Sequence, residues 1–445
     1  MNLSNWLPPF LARRLAGRDT VRRALDNAFW LFVDQAVRMT AGLLVGVWMA
    51  RYLGPEQYGW LSYATAVVGT VSSFASLGIN AVVVRELVRE PAAVDRWLGA
   101  AFFLKALGAG LGFLACVGVA MFQPAASAPT KPLVAIVAFG MFFQCLDVFD
   151  LLFQARGASR VSAWIRIAAC VASNLLKAGL ILAGAGLPAL ATAGVVELAL
   201  SAAGWWWAAR REQPRPRLGR WEGRIARELL RESWPLAVSG LAIYTQAYAD
   251  QLVIAHDLGG GELGQYAAAM RLVNVPAFVP MVVYTVASPE ITRAHREAPE
   301  LYRRRLHDLY RLMLGLFVLA AVPLIAVGGP MTRWLLGGPY AGASLLLPWL
   351  AFRLFFTNFG VARSIFITNE GLFRFGLITA VAGALTNVGL NLWLVPAWGA
   401  RGAIASSLVS FAVTTFGCEA FHPVARDNLR LMLRALVLPW RGLNR

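Results

Sequence analysis

Charge is scarce in this sequence: only 15% of its 445 residues are Asp, Glu, Lys or Arg, and 58% are hydrophobic. An ordinary soluble domain carries roughly a quarter charged residues, so a conventional water-soluble globule is excluded. Cysteine is equally sparse. Cys116, Cys145, Cys170 and Cys418 each fall inside an apolar run, with no CxxC spacing and no neighbouring histidine cluster, which predicts buried packing rather than a metal site. The four histidines, His256, His295, His307 and His422, lie far apart in or near loops and read as surface residues. Catalytic signatures are missing too: there is no GxxxxGK[ST] loop, no HExxH and no DxD. The expectation is therefore a protein that is not an enzyme and has no cofactor. The basic N-terminal stretch MNLSNWLPPFLARRLAGRDTVRRALDN lacks an apolar core followed by a small-residue cleavage site, so it does not read as a cleaved signal peptide.

What the chain has is apolar runs of the length a bilayer crossing requires, about twenty residues. They fall near 27–50, 60–84, 98–121, 131–153, 161–184 and 188–209, and, after a polar stretch, near 233–256, 267–288, 312–328, 343–365, 374–395 and 400–421. This predicts an all-α polytopic membrane protein of about twelve transmembrane helices.

The net charge of +17 is compatible with a nucleic-acid partner or with an asymmetric membrane topology, and the positions of the basic residues decide between them. Thirty Arg fall in the termini and in alternate connections, among them Arg13, Arg85, Arg156, Arg210, Arg303, Arg374 and Arg430. The intervening connections carry Arg51, Lys131, Arg333 and Arg401. Such alternation sets the basic side, with both termini, in the cytoplasm of a bacterial inner membrane, and excludes a nucleic-acid partner.

The Arg- and Pro-rich stretch from Arg210 to Glu232 divides the spans six and six. The expected organisation is a basic cytoplasmic arm over 1–26, a first lobe over 27–209, a linker over 210–232, a second lobe over 233–421 and a basic amphipathic tail over 422–445. The tail can lie on the inner leaflet. The halves share traces of common origin. ARYLGPEQYGWLSYA (Ala50 to Ala64) aligns with AHDLGGGELGQYAAA (Ala255 to Ala269) at an offset of 205, and Asn174 and Gly186 align with Asn387 and Gly399 at an offset of 213. Halves of six helices each would be related by an axis along the membrane normal.

Ionisable groups inside the spans are the candidate functional residues, because each costs several kcal/mol, on the order of 3 or more, unless it faces a cavity or a partner. Asp34 and Arg38 share one face of the first helix, with Asn27 and Gly42, and read either as a self-neutralising pair or as an anion contact with a tuning partner. Arg166, Ser173 and Lys177 share a face of the fifth helix, and Ser239, Gln246 and Asp250 one of the seventh. Arg353 lies near the middle of the tenth, Arg363 near its end and Glu197 near mid-span of the sixth, while Lys105, Arg271, Asp147 and Asp150 complete the set. Basic groups outnumber acidic ones seven to five, which points to an anionic passenger bound through the guanidinium fork. Expected anion-contacting residues are Arg38, Lys177 and Arg353, then Arg166, Arg271 and Arg363; Asp34, Asp250 and Glu197 are the candidates for coupling to H+ or Na+.

ARYLGPEQYGWLSYA followed by SSFASLGINAVVVREL resembles the opening of bacterial polysaccharide or oligosaccharide flippases of the Wzx type, within the MATE-like exporter superfamily (multidrug/oligosaccharidyl-lipid/polysaccharide). DVFDLLFQARGASRVSAW and NVGLNLWLVPAWGARGAIASSLVS are similar to that family's fourth-to-fifth helix passage and its Asn-rich helix, Pro break and following helix. The resemblance implies two six-helix lobes that open alternately. The implied passenger is a polyprenyl-diphosphate-linked oligosaccharide, carried from the cytoplasmic to the periplasmic leaflet for O-antigen, capsule or exopolysaccharide biosynthesis. Its implied partners are that lipid-linked oligosaccharide, membrane lipids, a glycan polymerase and chain-length machinery. The rival readings are a drug or cation exporter of the same superfamily, disfavoured by the basic excess, and a glycan polymerase or ligase, disfavoured by the short outward connections. A peptidoglycan-precursor flippase would have two further helices.

Overall fold

A computed structural model describes residues 19–121, 130–213, 215–219 and 221–437. The basic arm up to residue 18, Arg220, the tail beyond Val437 and the side chain of Asn27 lie outside the described residues. Among the described residues the regular structure is helical throughout. In chain order the helices are α1 (Asp19–Ala75), α2 (Asn80–Arg89), α3 (Val94–Met121), α4 (Thr130–Gln144), α5 (Val148–Ala155), α6 (Ser159–Leu182), α7 (Leu187–Arg210) and α8 (Gly223–Asp257). They continue with α9 (Gly259–Asn274), α10 (Phe278–Glu297), α11 (Pro299–Leu336), α12 (Ala341–Ala351), α13 (Arg353–Asn369), α14 (Phe373–Trp398), α15 (Ala400–Ala412) and α16 (Pro423–Val437).

Among the described residues ten helical stretches are long and apolar enough to cross a bilayer. The first is two crossings in one, because α1 bends at Gly54 (φ 72°, ψ 171°), a conformation that ends one helix, and Pro55 then opens the next. A twelfth is the apolar part of α8, whose hydropathy is lowered by Ser239, Thr245, Gln246, Asp250 and Gln251. The chain is thus a multi-pass membrane protein of about twelve spans. Several predicted spans are broken by local chemistry. The second ends at Ala75, where Leu77 and Gly78 take positive φ. The fourth is split by a 3₁₀ turn over Cys145–Asp147, and the eighth by Pro276, which separates α9 from α10.

The described chain forms two compact units, one of residues 19–46 and 71–237 and the other of 47–70 and 238–437. The stretch 27–209 includes residues 47–70, which fall in the second unit. Its residues 47–70 pack with the second unit at a helix crossing where backbones nearly touch. A Cβ on Gly59 would lie 1.8 Å from the carbonyl oxygen of Gly260, and one on Gly264 would lie 1.8 Å from that of Pro55. Only small residues permit this approach. At the offset of 205, Pro55 corresponds to Gly260 and Gly59 to Gly264, so each contact is the other with its partners exchanged. That exchange is the signature of a local two-fold axis. Gly259 (φ 83°) likewise repeats the break at Gly54.

The first unit's core gathers Val82, Val83, Leu98, Val148, Leu152 and Leu229 from α2, α3, α5 and α8. The second unit's core gathers Leu306, Tyr310, Met313, Phe359, Ile365 and Met432 from α11, α13 and α16. The amphipathic tail is a helix whose Ala425, Met432 and Ala435 are buried in that core. Cys116, Cys145 and Cys170 are buried and unbridged, and Cys418 is half-buried.

Candidate functional site

The intramembrane charges gather into separate clusters, each assembled from helices distant in sequence. In the first unit, Asp34 and Arg38 of α1 do not pair with each other. Arg166 of α6 lies between two carboxylates, with Nε 2.8 Å from Asp34 Oδ2 and Nη1 3.1 Å from Asp150 Oδ2. Gln154 also donates to Asp150 Oδ2, at 2.9 Å. The remaining oxygens, Oδ1 of Asp34 and Oδ1 of Asp150, are buried without a partner among the described residues.

Arg38 instead turns to Glu197 of α7, 3.7 Å away, and Lys177 of α6 approaches the other oxygen of the same carboxylate at 3.8 Å. Both distances exceed hydrogen-bond length. With a side chain 39% exposed, Arg38 is the most accessible of the three. Ser173, on the Arg166–Lys177 face, is committed to the bundle and donates to the Ala193 carbonyl at 2.8 Å. The group of Arg38, Lys177 and Glu197 carries one excess positive charge, and Asp34, Asp150 and Arg166 one excess negative.

In the second unit, Asp250 of α8 is fully buried. Its Oδ2 accepts from Tyr266 and, at 3.2 Å, from Ser407, while Oδ1 accepts the Gln251 amide at 2.9 Å. Arg353, at the start of α13, lies 3.5 Å from Asp250 and stacks its guanidinium 4.9 Å from the Phe411 ring centre. A string of buried amides and hydroxyls continues from there. Gln246 donates to Ser410 and Thr414, and Asn387 donates to Ser410.

The other predicted cations are engaged elsewhere. Arg271 donates to the Tyr58 hydroxyl at 3.1 Å. Arg363 is buried, with Nε 2.5 Å from Glu419, and also donates to Thr379. Asn428 of the tail helix donates to Glu419 at 3.1 Å and accepts from Tyr310 at 2.9 Å, so this network ties α11, α13 and α16 together. Lys105 pairs with Asp147 beside a small cavity of about 30 Å³ lined also by Ser72, Ser76 and Gln144.

Sequence reasoning missed Tyr266, Ser407 and Glu419, which complete these clusters. Glu419 is the consequential one: it sits at the end of the last apolar run, where a carboxylate reads as solvated, yet it is fully buried against Arg363. Counting it reduces the excess of intramembrane cations from two to one. Among the described residues no group of three His, Cys, Asp or Glu side chains is placed to hold a metal ion.

The chain is similar to a probable multidrug resistance protein NorM of Caulobacter vibrioides, 30% identical over 223 residues. That match takes in 47% of this chain and 43% of NorM, so it spans less than half the length of that relative. Among solved structures, an inward-facing multidrug resistance MATE family transporter of the MOP superfamily superposes with a TM-score of 0.73 at 14% identity, over 89% of this chain and 96% of that one. The lipid II flippase MurJ in an inward closed conformation gives a TM-score of 0.72 at 14% identity, over 93% and 91% of the two chains. These likenesses establish a MATE-like fold. The family described as polysaccharide biosynthesis protein matches residues 24–295, more than half of the sequence, and the chain belongs to that family.

Proposed function

We propose that this protein moves a polyprenyl-diphosphate-linked oligosaccharide from the cytoplasmic to the periplasmic leaflet of a bacterial inner membrane by alternating access. It would serve O-antigen, capsule or exopolysaccharide assembly. The observation that carries this reading is the trio of Arg38, Lys177 and Glu197, in a chain of the polysaccharide biosynthesis family. Two cations share one carboxylate at 3.7 and 3.8 Å, so the carboxylate acts as a stand-in anion that a diphosphate can displace. The Arg38 fork then takes phosphate oxygens bidentately while Lys177 contributes a point charge. Arg353 of the second unit is a further cation for the passenger; Arg166, Arg271 and Arg363 serve chiefly to hold helices together. Asp34, Asp250 and Glu197 are the groups through which H+ or Na+ would be coupled to the cycle. The chemistry is binding and release, with no bond made or broken, and the delivered glycan passes to a polymerase and its chain-length machinery.

The test is a strain lacking this protein, in which lipid-linked glycan should accumulate on the cytoplasmic leaflet. Wild-type protein should restore surface polysaccharide, and the Arg38→Gln/Lys177→Gln/Arg353→Gln triple variant should not. Full export by the triple variant would refute the assignment.

Export of a cationic drug is a second reading, favoured by the match to NorM and by the buried Asp34 and Asp150 oxygens without partners. It predicts that expression raises resistance to lipophilic cations and that Asp34→Asn abolishes the effect. Unchanged resistance would exclude it.

A further inference from the structure

The first unit carries a feature that transport chemistry does not use. All its described tryptophans lie at the Arg-rich ends of its helices, and Trp164, Trp206, Trp207, Trp221 and Trp234 are exposed there. Tryptophan favours the boundary between headgroups and acyl chains. Two of these rings are covered by guanidinium groups one helical turn further along α7. Arg210 lies 3.6 Å from the Trp206 ring centre and Arg211 3.7 Å from that of Trp207. Stacking occupies the flat face of a guanidinium and leaves its in-plane N–H fork free. Among the described residues neither Arg has a carboxylate within ion-pair distance, although Arg85, Arg96 and Arg156 of the same unit each have one.

The same face of α7 leads into apolar territory. At 100° per residue Thr192, Ala199, Ala203, Trp206 and Arg210 fall on one stripe. The far part of that stripe, with Val195 and Val196, lines a wholly apolar groove of about 510 Å³ against Phe113 of α3 and Phe139 and Phe143 of α4. Eleven residues of helix separate Ala199 from Arg210, a rise of about 16 Å. The hydrocarbon of one leaflet is about 15 Å deep. A chain whose headgroup sits at Arg210 therefore brings its terminal carbons to the groove, whose near end is Ala199.

We propose that this stripe is a binding site for an anionic phospholipid. The phosphate lies between the forks of Arg210 and Arg211, the glycerol region rests against Trp206 and Trp207, and an acyl chain runs along α7 into the Phe-lined groove. Charge selects the lipid: a zwitterionic headgroup brings its own cation to the same place and gains less from two guanidiniums. The site does not depend on the transport reading, since it would exist whatever the passenger.

The experiment is native mass spectrometry of the purified full chain in detergent, titrated with dioleoyl phosphatidylglycerol or dioleoyl phosphatidylcholine. Phosphatidylglycerol should be retained about tenfold more strongly. R210Q/R211Q should reduce its retention to the phosphatidylcholine level. R224Q/R227Q, which removes the same charge from the adjacent exposed helix start, should leave it unchanged. R210K/R211K keeps the charge but loses the stacked fork, and should fall between. Equal retention of the two lipids by wild type would overturn the proposal. So would an equal loss in R224Q/R227Q, which would mean diffuse surface charge. Val196→Trp, which fills the groove, should weaken both lipids; unaltered retention would remove the groove from the site.

Discussion

Replacing Glu197 by Gln should make the protein bind a prenyl diphosphate more tightly, the opposite of what loss of a ligand does. In the resting structure the carboxylate lies 3.7 Å from Arg38 and 3.8 Å from Lys177. At an effective dielectric constant near 20 each attraction is about 4 kcal/mol, and in water about 1 kcal/mol. Arg38 is 39% exposed, so screening pulls its share toward the lower value. An incoming diphosphate must displace that carboxylate or suffer its repulsion. Removing it should gain roughly 1.4 kcal/mol, a tenfold lower Kd. Arg38→Gln should raise Kd by a similar factor, since one of the two cations is lost. The assay is isothermal titration of farnesyl diphosphate into purified protein in detergent, repeated at higher salt, where the wild-type and Glu197→Gln affinities should both fall. Should Glu197→Gln weaken binding as much as Arg38→Gln does, Glu197 is a ligand and the displaced-anion mechanism is wrong.

Three further outcomes are expected. Glu419→Gln or Arg363→Gln strands a buried charge and should cost about 3–5 kcal/mol, read as a lowered thermal midpoint; R363M/E419M should recover most of it, and a single-variant midpoint equal to wild type would show that the pair is not buried in the membrane. Gly264→Leu drives a side chain into the Pro55 carbonyl and should prevent stable folding, whereas Gly110→Leu, with open space around it, should be tolerated; equal expression of the two would contradict the close crossing. Lys105→Met leaves Asp147 unpaired and should destabilise by more than Lys105→Met/Asp147→Asn does, with the difference measured in a double-mutant thermal series.

The pairings explain why the candidate site was only partly legible. Asp34 and Arg38 are four residues apart and share a helix face, a relation that periodicity reveals, yet they pair elsewhere, because the rotation of α1 against α6 and α7 sets which partner is nearest. Arg166 reaches Asp34 across 132 residues, and Arg363 reaches Glu419 across 56. No local pattern encodes such distances. The Trp–Arg stacks on α7 are the contrasting case: both are four-residue pairs, present in the string WWWAARR, and their geometry follows from one helical turn.

By itself the sequence determined the membrane class, the number of crossings, the alternation of basic connections and the duplicated Gly-rich segments. Each of these rests on a local property: the length of an apolar run, the charge of a connection, or a glycine where the backbone must turn. Only the tertiary structure decided that residues 47–70 pack with the second unit, that Glu419 is buried, and that Arg38 and Lys177 share Glu197. Those outcomes depend on how helices rotate and approach one another, and a change of a few ångströms in either gives a buried charge a different counter-ion.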